Sequence, residues 1–365
     1  MTENRIYNFS AGPSVMPESV LKKAQSEMLN YHGSGMSVME MSHRSAVFAG
    51  IMSETKAKLR SALSVPDTHE ILFLQGGATL QFAAVPMNLM GENGSADYAV
   101  TGNFSAVAAS EAKKYGRVNI ACDSSGTGHD RIPEKDSIKL SSDAGYFYYC
   151  ANNTIYGTEW QYVPDAKGKP IVCDMSSDIL SKPVNVSDYG LIFAGAQKNM
   201  APAGLTVVIV DKSLAGHELA CCPQVMSYDT LIKKDSMLNT PPCFCIYMLG
   251  LTLDWLSSFG GVSEMEKLKK ERAARLYDLL DNSSLYHAHA KPGSRSDMNV
   301  TFTTKDPELD ARFVKEAEKH GLVNLKGHRL TGGIRASLYN AMPMEGVVAL
   351  TEFMKQFEED TKCSR

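Results

Sequence analysis

Apolar and polar positions along this chain fall into two alternating patterns. Ile71-Leu72-Phe73-Leu74 is a fully apolar run that breaks at Gln75-Gly76-Gly77, the pattern of a buried strand. Helical spacing follows from Ala78 to Met90, with Pro86 as an expected kink. Asp97 to Val100, Val118 to Ile120, Tyr146 to Cys150, Ile171 to Cys173, Leu191 to Phe193 and Leu205 to Val210 read as further strands. Ala106 to Tyr115 reads as a helix between two of them. Apolar strands alternating with helices predict an α/β domain with a largely parallel sheet covered on both faces. Functional loops of such sheets gather at the carboxyl ends of the strands.

The flanks read differently. Asn8 to Ser14 is an irregular arm, and Pro17 suits the first turn of a helix that Gly33 and Gly35 would end. Ser37 to Arg44 is expected as a loop, followed by a helix to about Leu63. Gly260-Gly261 marks a domain boundary, and Ser263 with Glu266 has the form of a capping box opening the next helix. Beyond it the pattern runs strand (298–303), helix (309–320), strand (334–338), helix (344–357), a small α+β unit. The expected division is an arm at 1–15 joining the small domain, a large domain at 16–260 and a small C-terminal domain at 261–365.

Composition narrows the function classes. The 365 residues are 44% hydrophobic and 21% charged with a net charge of −4, which fits a globular protein and gives no electrostatic ground for a nucleic-acid partner. No apolar run approaches the ~20 residues of a membrane span. Met1 to Arg5 lacks the look of a signal or transit peptide, so a cytoplasmic location is expected. The eight cysteines form no CxxC pair and the histidines show no metal-ligand spacing. No metal is expected, and the thiols are expected reduced and mostly buried.

Candidate chemistry centres on Leu191 to Gly204. A short apolar run breaks into Gly, Ala and Pro, and a single charged residue, Lys198, stands among them. An exposed loop lysine would also fit. The strands on both sides and an acid one strand earlier favour a constrained site, where desolvation frees an amine as a nucleophile. That acid, Asp174, directly follows Ile171-Val172-Cys173. It either caps the turn into Ser176-Ser177 or pairs with a cation such as a protonated pyridine. Gly76-Gly77-Ala78-Thr79 lies between strand and helix; it is either a plain turn or a place where backbone N–H groups meet a phosphate. His43-Arg44, His328-Arg329 and Arg335 are either solvated loop charges or donors to phosphate and carboxylate.

Together these segments resemble the phosphoserine aminotransferase family, pyridoxal-phosphate enzymes of class V and aminotransferase fold type I. The likeness runs nearly end to end. It rests on Asn8-Phe9-Ser10-Ala11-Gly12-Pro13, Ser42-His43-Arg44, Gln81 to Pro86, Ala194 to Asn199, Asn239-Thr240-Pro241-Pro242, Lys326 to Arg329, and Arg335-Ala336-Ser337 with Tyr339 to Pro343.

The resemblance implies roles for individual residues. Lys198 would hold pyridoxal 5'-phosphate as an internal aldimine and shuttle the proton, Asp174 would pair with the pyridine nitrogen, and Thr154 would serve the ring-hydroxyl side. The backbone at Ala78 and Thr79, the Gln197 side chain, and Asn239 with Thr240 would hold the cofactor phosphate, the last two coming from the other subunit of a homodimer. His43, Arg44, His328 and Arg329 would take the substrate's phosphate or distal carboxylate, and Arg335 its α-carboxylate. The implied substrates are glutamate with 2-oxoglutarate and 3-phosphohydroxypyruvate with phosphoserine, in serine biosynthesis; a phosphorylated hydroxythreonine of pyridoxine synthesis is a further one. There are two departures from the family pattern. Phe104 stands where the family stacks Trp on the ring, and Gly76-Gly77-Ala78-Thr79-Leu80 replaces Gly-Gly-Gly-x-Gly.

Two other readings compete. One is a different class-V enzyme such as a cysteine desulfurase, which needs a reactive loop cysteine and a His over the ring. Phe104 occupies that place and no cysteine lies between Cys245 and Cys363. The other is a non-catalytic cofactor-binding homologue, which predicts loss of Lys198 or Asp174; both are present.

Overall fold

The computed structural model describes residues 5–91 and 94–363. All but one of the residues read for a leader, and the last two of the expected small domain, lie outside the described residues. In chain order the elements are β1 (Tyr7–Asn8), α1 (Glu18–Glu27), α2 (Ala46–Ala62), β2 (His69–Leu74), α3 (Gly77–Leu89), β3 (Ser95–Val100), α4 (Asn103–Ala112), β4 (Arg117–Asp123) and β5 (Ala144–Cys150). There follow β6 (Asn152–Asn153), β7 (Thr158–Glu159), β8 (Ile171–Asp174), β9 (Leu191–Gly195), β10 (Thr206–Asp211), α5 (Tyr228–Lys233) and α6 (Cys243–Ser258). The last are α7 (Gly261–Asn282), β11 (His287–Ala288), β12 (Asn299–Thr303), α8 (Pro307–Lys319), β13 (Leu322–Val323), β14 (Ile334–Ser337) and α9 (Met344–Cys363).

Seven strands form the central sheet in the order β2-β10-β9-β8-β5-β3-β4. The pairs from β9 through β4 are parallel, and β10 runs antiparallel to both its neighbours. The sheet is buried on both faces, and the side chains of each strand divide between two cores. Ile71, Phe73, Phe147, Tyr149, Ile192, Ala194, Val207 and Ile209 join one cluster, with residues of α2 and α6. Leu72, Tyr146, Tyr148, Leu191, Phe193, Val208 and Val210 join the other, with α3, α4 and α5. A strand with period two has both sets of positions apolar only when neither face meets water.

The C-terminal unit has its own core. Helices α7, α8 and α9 cover the sheet β11-β12-β14, and Phe9 of the N-terminal segment is buried in that same core. β1 pairs in parallel with β13. The segment then runs on to the loop after β9, where the Ser14 amide donates to the Gln197 carbonyl at 2.9 Å.

Some expectations are corrected. The first helix ends at Glu27, well before Gly33; Asn30 to Gly33 form a separate tight turn with His32 at φ +46. Ser263 lies inside α7 and caps nothing: the helix begins at Gly261, with Gly260 left-handed as its N-cap. α6 carries no amphipathic signal, because eight of its residues are buried and these spread around the whole helix. It packs against α1 and α2. No single described helix is long and apolar enough to cross a membrane. Only Cys122, Cys150 and Cys173 are buried, so the thiols are free but not mostly hidden.

Two buried charge clusters join the units. Arg272 of α7 is fully buried and donates to the carbonyls of Tyr339 (3.1 Å), Asn340 (3.2 Å) and Met342. Burial holds its guanidinium down, to about 10. Near the other end of β12, Glu159 receives Lys182 at 2.7 Å and Lys269 of α7 at 3.3 Å, and Lys269 also faces Asp297 at 3.6 Å. Asp178 stands beside them, 3.9 Å from Lys182. Burial pushes its carboxyl up to about 7; the lysines pull it back and Glu159 adds to the rise.

Two predictions follow from these clusters. Arg272→Met leaves three buried carbonyls without their donor and should lower stability by about 3 kcal/mol, measured by urea denaturation. A carboxyl whose folded value is raised stabilises the native state below its unfolded range, and that contribution is lost as pH rises through about 7. Asp178→Asn should therefore gain on the parent as pH rises from about 5 to 8. A stability difference independent of pH across that window would contradict the assignment.

Candidate active site

Five loops at one edge of the central sheet bring the candidate residues together. β9 ends at Gly195, and the turn after it carries Gln197, Lys198 and Asn199. Lys198 Nζ donates to Thr154 Oγ1 at 3.1 Å and lies 5.7 Å from the centre of the Phe104 ring. Thr154 follows β6, the short strand after β5, and Phe104 opens α4 after β3. The Thr154 carbonyl in turn accepts from Arg335 Nη1 at 3.4 Å, which draws β14 of the C-terminal unit to the same place.

Asp174, the last residue of β8, is buried among these groups. Ser176 gives its Oδ1 two hydrogen bonds, from the amide at 2.9 Å and from Oγ at 2.6 Å. The turn-capping role open from sequence is thus present. It uses only one oxygen: among the described residues Oδ2 has no donor. Burial raises the carboxyl above its usual range, while the Lys198 charge and the Ser176 bonds hold it down. A buried carboxylate with one oxygen free and a lysine nearby suits a cationic ring N–H, so these residues fit pyridoxal phosphate.

α3 supplies an anion site in form. Gly76 before it adopts φ +89, where a side chain would be strained, and no side chain caps the helix. Its first N–H groups, at Gly77, Ala78 and Thr79, therefore lack a capping acceptor, and the helix dipole favours an anion there. Gln75, at the same turn, accepts from Asn239 Nδ2 at 2.9 Å. Asn239 and Thr240 are exposed, and neither hydrogen-bonds to Lys198, Thr154 or Asp174.

The basic residues divide into two groups. Lys326 bridges to Ile334, so His328 and Arg329 sit on a turn folded back toward Arg335. Burial, with the Arg335 and Arg329 charges, lowers His328 below its ordinary value. Burial lowers Arg335 as well. His43 and Arg44 lie in the loop before α2, and among the described residues their side chains make no hydrogen bond or ion pair. The chain alone does not bring them to the Lys198 group.

Residues that sequence reading missed complete the surroundings. The N-terminal arm lies across the Lys198 loop: a Cβ on Gly12 would come within 3.4 Å of Lys198 Cγ, and Ser14 Oγ donates to the Lys198 carbonyl. Asn199 donates to the Ile179 carbonyl at 2.8 Å and accepts from the Asn340 amide at 3.0 Å, locking this turn to the C-terminal unit. An Asn directly after the lone Lys, in a segment otherwise of small residues, was the available signal.

Comparison with known proteins gives a consistent outcome. The aminotransferase class-V family model matches residues 6–350. The phosphoserine aminotransferase of Nitrosomonas europaea is 51% identical over 98% of this chain and 99% of its own length, and that of Bacillus cereus is 47% identical over 98% and 99%. Among solved structures, the phosphoserine aminotransferase of Bacillus circulans subsp. alkalophilus superposes with a TM-score of 0.96 at 42% identity, covering 98% of this chain and 99% of that one. The PLP-bound phosphoserine aminotransferase of Trichomonas vaginalis superposes with a TM-score of 0.92 at 42% identity, covering 96% and 100%.

Proposed function

The chain belongs to the class-V aminotransferases, and from that membership we propose that it is a pyridoxal-phosphate-dependent phosphoserine aminotransferase of serine biosynthesis. It moves an amino group between glutamate and 3-phosphohydroxypyruvate. One observation carries the reading: Lys198 Nζ, bonded to Thr154 and lying by the Phe104 ring, stands close enough to buried Asp174 for its charge to act on that carboxylate.

The cofactor, when bound, supplies an aldehyde that accepts the amino group and a ring that draws electrons from the substrate's α-carbon. The rest is done by this chain. Lys198 Nζ is the covalent attachment point and, once released by the incoming amine, the base that carries the α-proton. Asp174 Oδ2, the oxygen without a protein donor, keeps the ring nitrogen protonated. Thr154 Oγ1 is the partner of the ring hydroxyl, and Phe104 offers the ring an aromatic face. The N–H groups at Ala78 and Thr79 and the Gln197 side chain hold the phosphate, with Asn239 and Thr240 of a second copy closing over it. Their exposure here supports a homodimer with shared sites. Arg335 takes the α-carboxylate by its planar fork. His43, Arg44, His328 and Arg329 receive the second anion, which both substrates possess, so one basic cluster serves both halves of the reaction. The arm at 1–15 and the units at 16–260 and 261–365 frame that cluster. A cytoplasmic setting is proposed from the eight free thiols.

Lys198→Ala should cut turnover by roughly a thousandfold or more, and borohydride should fix the cofactor to the peptide bearing residue 198 only in the parent. Full turnover in the variant would reject the proposal. Turnover of hydroxypyruvate without its phosphate should be far below that of 3-phosphohydroxypyruvate. Phe104→Trp adds contact area to the aromatic face and should slow loss of the cofactor on dialysis by about 2–10-fold. Unchanged or faster loss would show that the ring at 104 contributes no stacking.

A further inference from the structure

A second cavity, of 310 Å³, opens beside the Glu159 cluster. Its lining includes Tyr149, Trp160, Tyr162, Asp178, Lys182 and Tyr189. The residues that hold Lys198 are not among them. Trp160 and Asp178 are each only 3% exposed. Trp160 Nε1 and Asp178 Oδ1 have no hydrogen-bond partner. One is an obligatory donor and the other an acceptor, so the cavity presents one of each, both costly to leave unpaired.

The charges around it do not balance. Three carboxylates, Glu159, Asp178 and Asp297, share two lysines, Lys182 and Lys269, and Glu159 takes the closest contact of each. Lys270 also lines the cavity, but its ammonium is held by Glu266 at 2.7 Å. The cluster is one positive charge short. Aromatic rings stand on one side, with Trp160 5.3 Å from both Tyr149 and Tyr162, and such faces attract cations. No group of three or more acids, histidines or cysteines among the described residues is placed for a metal ion. The volume exceeds the ~30 Å³ share of one water about tenfold.

We propose that this cavity binds a small protonated amine that carries a hydrogen-bond acceptor, its N–H on Asp178 Oδ1 and its acceptor on Trp160 Nε1. The ligand supplies the missing charge and satisfies both orphaned groups. Asp178 lies four residues beyond Asp174 in the turn after β8, and Lys269 belongs to α7. An occupant therefore ties the turn that carries the catalytic acid to the C-terminal unit.

The chain has two tryptophans, so Trp255→Phe leaves Trp160 as the only one. That holoenzyme is titrated with dimethylaminoethanol at mildly alkaline pH, where Asp178 is ionised. A tertiary amine cannot condense with the cofactor, so the cofactor absorption should stay unmoved. The expected result is a saturable change in Trp160 emission with a raised melting temperature. Adding Asp178→Asn should weaken binding by roughly tenfold or more. If that variant fails to fold, Trp160→Phe in the otherwise unaltered chain should reduce the amine-induced rise in melting temperature. Absence of a saturable response, an equal response in Asp178→Asn, or an equal response to the uncharged carbon isostere isopentyl alcohol would each overturn the proposal and leave a water-filled cavity.

Discussion

A carboxylate held inside the sheet is the constraint on which the rest of this protein depends. Asp174 ends β8 with other strands on both sides, where an isolated charge would cost several kcal/mol. The fold meets part of that cost locally. Ser176 turns back to give Oδ1 two hydrogen bonds, and Lys198 on the next strand's loop adds an opposite charge. The carboxyl still rises above its ordinary range, because burial outweighs these partners. The remaining oxygen is where a cofactor's ring nitrogen fits. Binding the cofactor and relieving the buried acid are then the same event.

Lys198 itself is placed by the join between the two units. The arm reaches it from β1, which is paired into the C-terminal unit, and holds the backbone at Gln197 and Lys198 through Ser14. Asn199 is bonded to Asn340, and Asn340 shares the Arg272 guanidinium with Tyr339 and Met342. Arg335 comes from the same unit to Thr154. A shift of the C-terminal unit therefore moves the nucleophile's loop and the carboxylate donor together. This gives substrate closure a direct route to the reacting groups.

The strand order and the site's location at the strands' carboxyl ends were legible because they follow from apolar content. Ile71, Ile192 and Val208 are apolar on every side their strands present, and only a sheet covered on both faces uses such runs. Small residues around Lys198 likewise marked a place of close approach, and the Gly12 contact shows what approaches. α6 went unseen for the opposite reason: a helix buried all round has no polar face to give it a period. Ser263 with Glu266 misled because the left-handed Gly260 starts α7 earlier, and local pattern cannot weigh one start against another.

By itself, then, the sequence determined the class of fold, the two-unit order, and the pairing of a lysine with an acid one strand apart, since each is written in residues close along the chain. Only the tertiary structure decided what reaches across: the arm over Lys198, Arg335 on Thr154, Asn340 on Asn199, and the cluster of Asp178 with Lys269. These contacts join residues more than 90 positions apart. Their partners are chosen by how the two cores dock, and no spacing along the chain encodes that geometry.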